Sequence, residues 1–232
     1  MSRRDDLAAN LAAVHARIEA ACTAAGRARE EVSLVVVTKF FPGSDVRLLA
    51  DLGVREVGEN RHQEAEAKAA ACADLGLRWH FIGGLQSNKA AAVARYADVV
   101  ESVDRAKLVA ALDRGAAERG AVVDCLVQVS LDPPDAAGRS GAEASTVPAL
   151  ADAIASAPHL NLRGVMAVAP LGMPAAPAFA RLAEVAAGLR SAHPEATTIS
   201  AGMSGDLEDA ILHGATHLRI GSSVLGPRPS IQ

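Results

Sequence analysis

The pattern of apolar positions changes character after the first thirty residues. Leu7, Leu11, Val14, Ile18 and Cys22 recur at steps of three and four, which marks one buried face of a helix, and Gly26 supplies its stop. At residues 33–42, "SLVVVTKFFP", the helical period is gone: four aliphatics and a threonine run into Lys39 without apolar–polar alternation. A strand of this kind is covered on both faces, as in a parallel sheet. Pro42 and Gly43 then break it.

From there strands and helices alternate to the end of the chain. Strands are predicted over 33–39, 55–59, 78–82, 99–103, 125–131, 162–167, 197–200 and 216–220, and helices over 45–52, 62–73, 89–96, 105–119, 147–156, 176–192 and 207–213. Ser44, Asp104 and Thr146 precede helix starts and are the expected caps. Eight such repeats after one extra N-terminal helix predict a (β/α)8 barrel forming a single domain over residues 1–232. A doubly wound open sheet is the competing architecture. It calls for a glycine-rich loop after the first strand, and "KFFPG" cannot cradle a pyrophosphate. "VAPLGMPAAP", after the sixth strand, is expected to be a mobile loop at the barrel mouth.

Composition narrows the function classes. The chain carries a formal charge of −4 and 3% aromatic residues, with no basic run, which excludes the usual nucleic-acid footprint. Cys22, Cys72 and Cys125 are widely spaced and form no CxxC pair, so neither a disulfide framework nor a zinc site is expected, and a reducing compartment is. Asp5 and Asp6 stand where a signal peptide would need apolar residues, and no apolar run reaches membrane-spanning length. The expectation is a cytoplasmic protein.

A lysine at a strand end can simply reach solvent. In a barrel of this type, however, the C-terminal strand ends form the active face, and the polar residues of this chain gather there. Lys39 closes the first strand and Glu59-Asn60 the second; "HFIGGLQSNK", "SAGMSGD" and "RIGSSVLG" leave the third, seventh and eighth. In the last of these, Gly221-Ser222-Ser223 opens a short helical turn whose free N–H groups suit an anion, although a plain serine-capped turn would read the same. First and eighth strands are neighbours once a barrel closes. A phosphorylated aldehyde could be anchored at 221–222 and form an imine with Lys39, whose amine would be depressed toward neutrality by burial behind Val35, Val36 and Val37. Pyridoxal 5′-phosphate (PLP) meets this pairing, and so does a sugar-phosphate aldolase substrate.

The segments "VVVTKFFP", "GENRHQE", "WHFIGGLQSNK", "LRGVMAVAP", "SAGMSGDLEDAI" and "RIGSSVLGPR" occur in this order across nearly the whole chain. Together they resemble the single-domain PLP homeostasis proteins, a family similar to the N-terminal barrel of bacterial alanine racemases without the second domain. The resemblance implies PLP held as an internal imine on Lys39, phosphate held by Ser200, Gly221 and Ser222, Arg219 beside the pyridine nitrogen, and Asn60 lining the ring pocket. An arginine at the ring nitrogen disfavours its protonation and weakens the electron sink; a plain structural ion pair is the other role open to Arg219. Three departures from the family pattern bear on pocket shape: Arg61-His62 in place of an aromatic, Gly84, and Ala201 in place of methionine.

The implied role is PLP storage, carriage or regulation without evident turnover, with apo PLP-dependent enzymes as candidate recipients and a monomer as the expected state. An amino-acid racemase of the same fold type is the alternative. It needs a second acid/base on the far face of the cofactor, and the single tyrosine, Tyr96, falls near the end of the third repeat's helix. A Schiff-base aldolase finds no acid/base dyad beside Lys39. His213 and His217 are separated by Gly214, so no metal is expected there. Ser204 in "GMSGD" reads as a helix cap, not as a nucleophile elbow. Two placements stay open for Lys89, solvent or the cavity rim, and two for Arg139 in the loop at 132–142, ligand or solvent.

Overall fold

A computed structural model of the chain describes residues 2–133 and 140–227; Arg139 lies outside the described residues. Eight parallel strands close into a barrel in sequential order, β1 through β8. They are β1 (Ser33–Val37), β2 (Glu56–Glu59), β3 (Arg78–Phe81), β4 (Val99–Val103), β5 (Val123–Gln128), β6 (Leu160–Met166), β7 (Thr198–Ser200) and β8 (His217–Ile220). The helices are α1 (Arg3–Ala24), α2 (Gly43–Asp51), α3 (His62–Ala71), α4 (Ala90–Ala94), α5 (Val109–Arg119), α6 (Val147–Ala155), α7 (Ala175–Ala192), α8 (Leu207–Leu212) and α9 (Ser222–Leu225). The seam between the two ends of the chain is formed by β1 and β8, with Val35 opposite Arg219 and Val36 opposite Ile220. No helix among the described residues is long and apolar enough to cross a membrane.

The extra helix α1 starts at a capping box, Ser2 with Asp5. It buries Leu7, Leu11, Val14, Ile18 and Cys22 on one face, against α2, α8 and α9. Its polar side chains reach the barrel mouth. Arg17 donates to the Ser204 carbonyl at 2.6 Å and pairs with Glu208, Asn10 donates to the Val224 carbonyl at 2.9 Å, and Arg3 donates to the Leu225 carbonyl at 3.0 Å while pairing with Asp45. The helix therefore braces the two loops that leave β7 and β8.

The three expected caps take other roles. Helix α2 begins two residues early, with Pro42 at its cap position and no side-chain cap, so Ser44 lies inside its first turn. Asp104 pairs with the adjacent Arg105, and the segment behind it is a short 3-10 turn, Ala106–Leu108, before α5. Thr146 does precede α6, but its hydroxyl donates back to the Glu143 carbonyl at 2.8 Å and leaves the helix N–H groups alone. Asp104 and Thr146 each found a nearer partner than the helix terminus.

Backbones approach most closely at Gly164 in β6. Its φ is +148°, and a Cβ there would lie 1.9 Å from the Thr198 carbonyl oxygen of β7. Gly164→Ala must open the β6–β7 seam and is expected to cost on the order of 3 kcal/mol of unfolding free energy in urea titrations. Gly188, in the exposed interior of α7, has no atom within 4 Å of a built Cβ, so Gly188→Ala should instead stabilise the protein by about 1 kcal/mol.

Candidate functional site

A cavity of about 380 Å3 opens at the C-terminal ends of the strands, within the usual range of about 300–1,000 Å3 for small-molecule sites. Five of the six residues singled out by sequence line it: Lys39, Asn60, Arg219, Gly221 and Ser222. Ser200 does not. Ser204, expected to be a cap, does.

Lys39 sits two residues past the end of β1 in a turn held from both sides. Lys68 of α3, buried, donates to the Thr38 carbonyl at 2.8 Å, to Glu59 at 2.7 Å and to Glu64 at 2.7 Å. The Thr38 hydroxyl donates to the same Glu59 oxygen at 2.6 Å, and the Phe40 N–H donates to Glu64 at 2.6 Å. Burial pushes the Glu59 carboxyl above the usual carboxylate range, against the opposing pull of Lys68 and Thr38. Phe40 has φ +73°, the one positive value at a non-glycine residue among those described. That conformation costs about 1–3 kcal/mol and persists only where the surroundings enforce it. Here the bond to Glu64 does so, and the Phe40 ring lies under the Lys39 ammonium, 6.0 Å from the ring centroid, with the Arg61 guanidinium 5.2 Å away.

Asn60 enters the cavity because Gly83 lets the chain after β3 press on it: a Cβ at Gly83 would stand 2.0 Å from the Asn60 carbonyl oxygen. At the end of β8, Gly221 caps α9 and packs on the Val37 carbonyl, 3.1 Å from a built Cβ. The hydroxyls of Ser204 and Ser222 are 3.4 Å apart. Two hydroxyls and the α9 N-terminus thus line the same cavity as Lys39, on the loops that α1 braces.

Arg219, 4% exposed, forms part of the cavity floor. It donates to the Ala167 carbonyl at 2.7 Å and to the Ser200 hydroxyl at 2.6 Å. Ser200 in turn donates to Glu101 at 2.6 Å. Its hydroxyl proton is therefore committed to Glu101 and a lone pair to Arg219, below the cavity, so Ser200 is a support for Arg219 and not a wall residue. Glu101 is fully buried in β4. Burial alone would raise its carboxyl, but the His80 hydrogen bond at 2.7 Å, the charges of His80 and Arg219, and the Ser200 hydroxyl hold it at about 2.

The departures from the family pattern stay off the cavity walls. Arg61 covers Phe40, His62 stacks on Tyr96 with ring centroids 5.8 Å apart, Gly84 faces Ser140, and Ala201 is buried. Tyr96 and Lys89 do not line the cavity. Gly214, at φ +88°, ends α8 between His213 and His217, and no metal-binding cluster occurs among the described residues.

The chain is similar to known proteins over nearly its whole length. The family model for the alanine racemase N-terminal domain matches residues 9–229. The pyridoxal phosphate homeostasis protein of Mycobacterium tuberculosis is 42% identical, over 97% of this chain and 94% of its own length. That of Escherichia coli is 38% identical, over 97% of each chain. Among solved structures, Synechococcus elongatus PipY with PLP bound superimposes with a TM-score of 0.80 at 33% identity, covering 95% of this chain and all of its own.

Two outcomes follow from the buried charges. Lys68→Met leaves Glu59 uncompensated and should cost about 3–5 kcal/mol in denaturant titrations; Glu59→Leu/Lys68→Met should regain most of that while amide exchange at Phe40 stays faster than in the wild type. Glu101, lowered from 4.5 to about 2, contributes stability that is present above the unfolded-state value and lost as pH falls toward about 2. Stability measured between pH 5 and pH 2 should therefore fall less steeply in Glu101→Gln, by about 3 kcal/mol over that window.

Proposed function

The chain belongs to the alanine racemase N-terminal domain family and, within it, to the pyridoxal phosphate homeostasis proteins, and from that premise we propose that the cavity holds PLP between Lys39 and the Ser204–Gly221–Ser222 wall for intracellular PLP homeostasis. The observation that carries this reading is that an amine and an anion cradle from opposite ends of the sequence line one cavity of suitable volume. When bound, PLP supplies an aldehyde that takes up an amine and a ring that withdraws electrons.

Each wall residue has a defined task. Lys39, in its clamped turn, presents the amine for covalent attachment. The Ser222 and Ser204 hydroxyls, with the amides of the α9 N-terminus, donate to the phosphate, and Gly221 keeps that wall free of a side chain. The sixth residue of the set, Ser200, acts through Arg219. A guanidinium remains protonated and cannot accept a hydrogen. With PLP bound, Arg219 beside the ring nitrogen would disfavour a proton there and so limit carbanion chemistry. Asn60 would line the ring pocket.

Storage or delivery without turnover is supported by the composition of the walls. Besides Lys39, the described lining residues include no carboxylate, imidazole, thiol or phenol that could act as the second base of a racemase. Three free, buried thiols favour the cytoplasm, and the apolar face of α1, packed within its own chain, favours a monomer that passes PLP to apo-enzymes.

Purified protein loaded with PLP should show a visible absorbance band that Lys39→Ala abolishes, with no interconversion of D- and L-alanine. Ser204→Ala/Ser222→Ala should weaken PLP binding at least about tenfold, as expected for two lost donors to a dianion. A colourless protein, or racemisation at ordinary enzyme rates that disappears with Lys39, would overturn the reading.

A further inference from the structure

A chain of polar contacts runs through the barrel interior. Below Arg219 the chain of contacts continues through Ser200 and Glu101 to His80 of β3, whose side chain is 2% exposed. Past His80 lies a second cavity of about 100 Å3 at the opposite end of the barrel, and Glu56, His80, Glu101 and His217 all contribute to its walls.

The hydrogen-bond inventory constrains His80. Glu101 is ionised and can only accept, so the His80 Nδ1 carries a hydrogen. The other ring nitrogen, Nε2, has no partner, and neither does the Glu56 Oε2, 4.0 Å away. If His80 were neutral, its Nε2 lone pair would face a carboxylate: two acceptors and no hydrogen between them. A proton on Nε2 turns that opposition into attraction. The other groups around His80 do not supply it. Arg78 of β3 pairs with Asp124 of β5, and Arg163 of β6 approaches the same carboxylate at 3.7 Å. His217 of β8 is held below the usual imidazole range by burial, with its Nδ1 2.9 Å from the Thr216 hydroxyl. Thr198 of β7 is uncharged. Glu56 is left as the carboxylate without a cation.

We propose that Glu101 and His80 are positioning residues for Arg219, and that His80 exchanges its second proton with solvent through the cavity at the far end of the barrel. One buried carboxylate is shared by two cations, His80 at 2.7 Å and Arg219 at 3.7 Å. When His80 releases the Nε2 proton to water, the imidazole still donates from Nδ1, but Glu101 is left with Arg219 as its single counter-charge. The guanidinium is then drawn toward Glu101 and away from the upper cavity. Protonation at one end of the barrel thus sets the placement of the cation that meets a ligand at the other. The effect on PLP rests on the function proposed above; the coupling itself belongs to the apo-protein.

The test reads both separately. In apo-protein labelled with 15N-arginine, the Arg219 side-chain signal, assigned by its loss in Arg219→Lys, should shift through one pH-dependent step. His80→Asn keeps a donor toward Glu101 without a titrating ring, and the step should vanish. Glu56→Gln, a change at the more open end of the cavity, should move the step to lower pH. In the PLP-loaded protein the absorbance band should shift over the same pH range, and His80→Asn should remove that shift while retaining the band. An Arg219 signal indifferent to pH, or a step that survives His80→Asn, overturns the coupling whether or not PLP binds. Loss of PLP binding with the apo step intact counts against the proposed function alone.

Discussion

The site depends on one buried ammonium. Lys68 ties α3 to the end of β1 by bonding the carbonyl just before Lys39 and the carboxylate that receives the amide just after it. A lysine on a free loop would sample several rotamers and backbone states, and fixing it on binding would consume affinity. Here the turn is already fixed, with Phe40 in a conformation it would not adopt alone. The cost of burying Lys68 and Glu59 is offset only by the full set of bonds around them, which is why removing one partner is far more damaging than replacing both.

On the facing wall the same task falls to a different element. Helix α1 lies outside the β/α repeat, yet its Arg17, Asn10 and Arg3 hold carbonyls of the β7 and β8 loops. Its apolar stripe supplies the attachment and its polar side chains the alignment. Pre-formed walls on both sides of a cavity leave little ordering to be done when a ligand arrives, which suits a protein that must both take up and release.

The barrel was legible because unalternating aliphatic runs mark strands buried on both faces, and these recur at a repeat length that leaves room for a helix between them. Boundaries were less so. The first strand stops at Val37 rather than Lys39 because Lys68 and Glu64, distant in sequence, pull the chain out of the ladder. Lys39, Asn60, Arg219, Gly221 and Ser222 could be placed at the mouth from strand ends and family motifs. Two serines four residues apart bracket the end of β7: the Ser200 hydroxyl is turned to Glu101 below the cavity, and Ser204, whose hydroxyl lies 3.4 Å from that of Ser222, lines it. The Glu101–His80 pair did leave a trace, a glutamate inside "VVESV", where a charge between valines implies a buried partner. Its partners come from other strands, and periodicity within one strand does not name them.

The β1–β8 seam has a temporal consequence. Lys39 leaves the ribosome well before Gly221 and Ser222, and the side chains that steady the latter are made before either. No partial chain contains both halves of the cavity. A nascent protein therefore has nothing with which to grip its ligand, and occupancy can begin only after translation has carried the eighth strand out to meet the first.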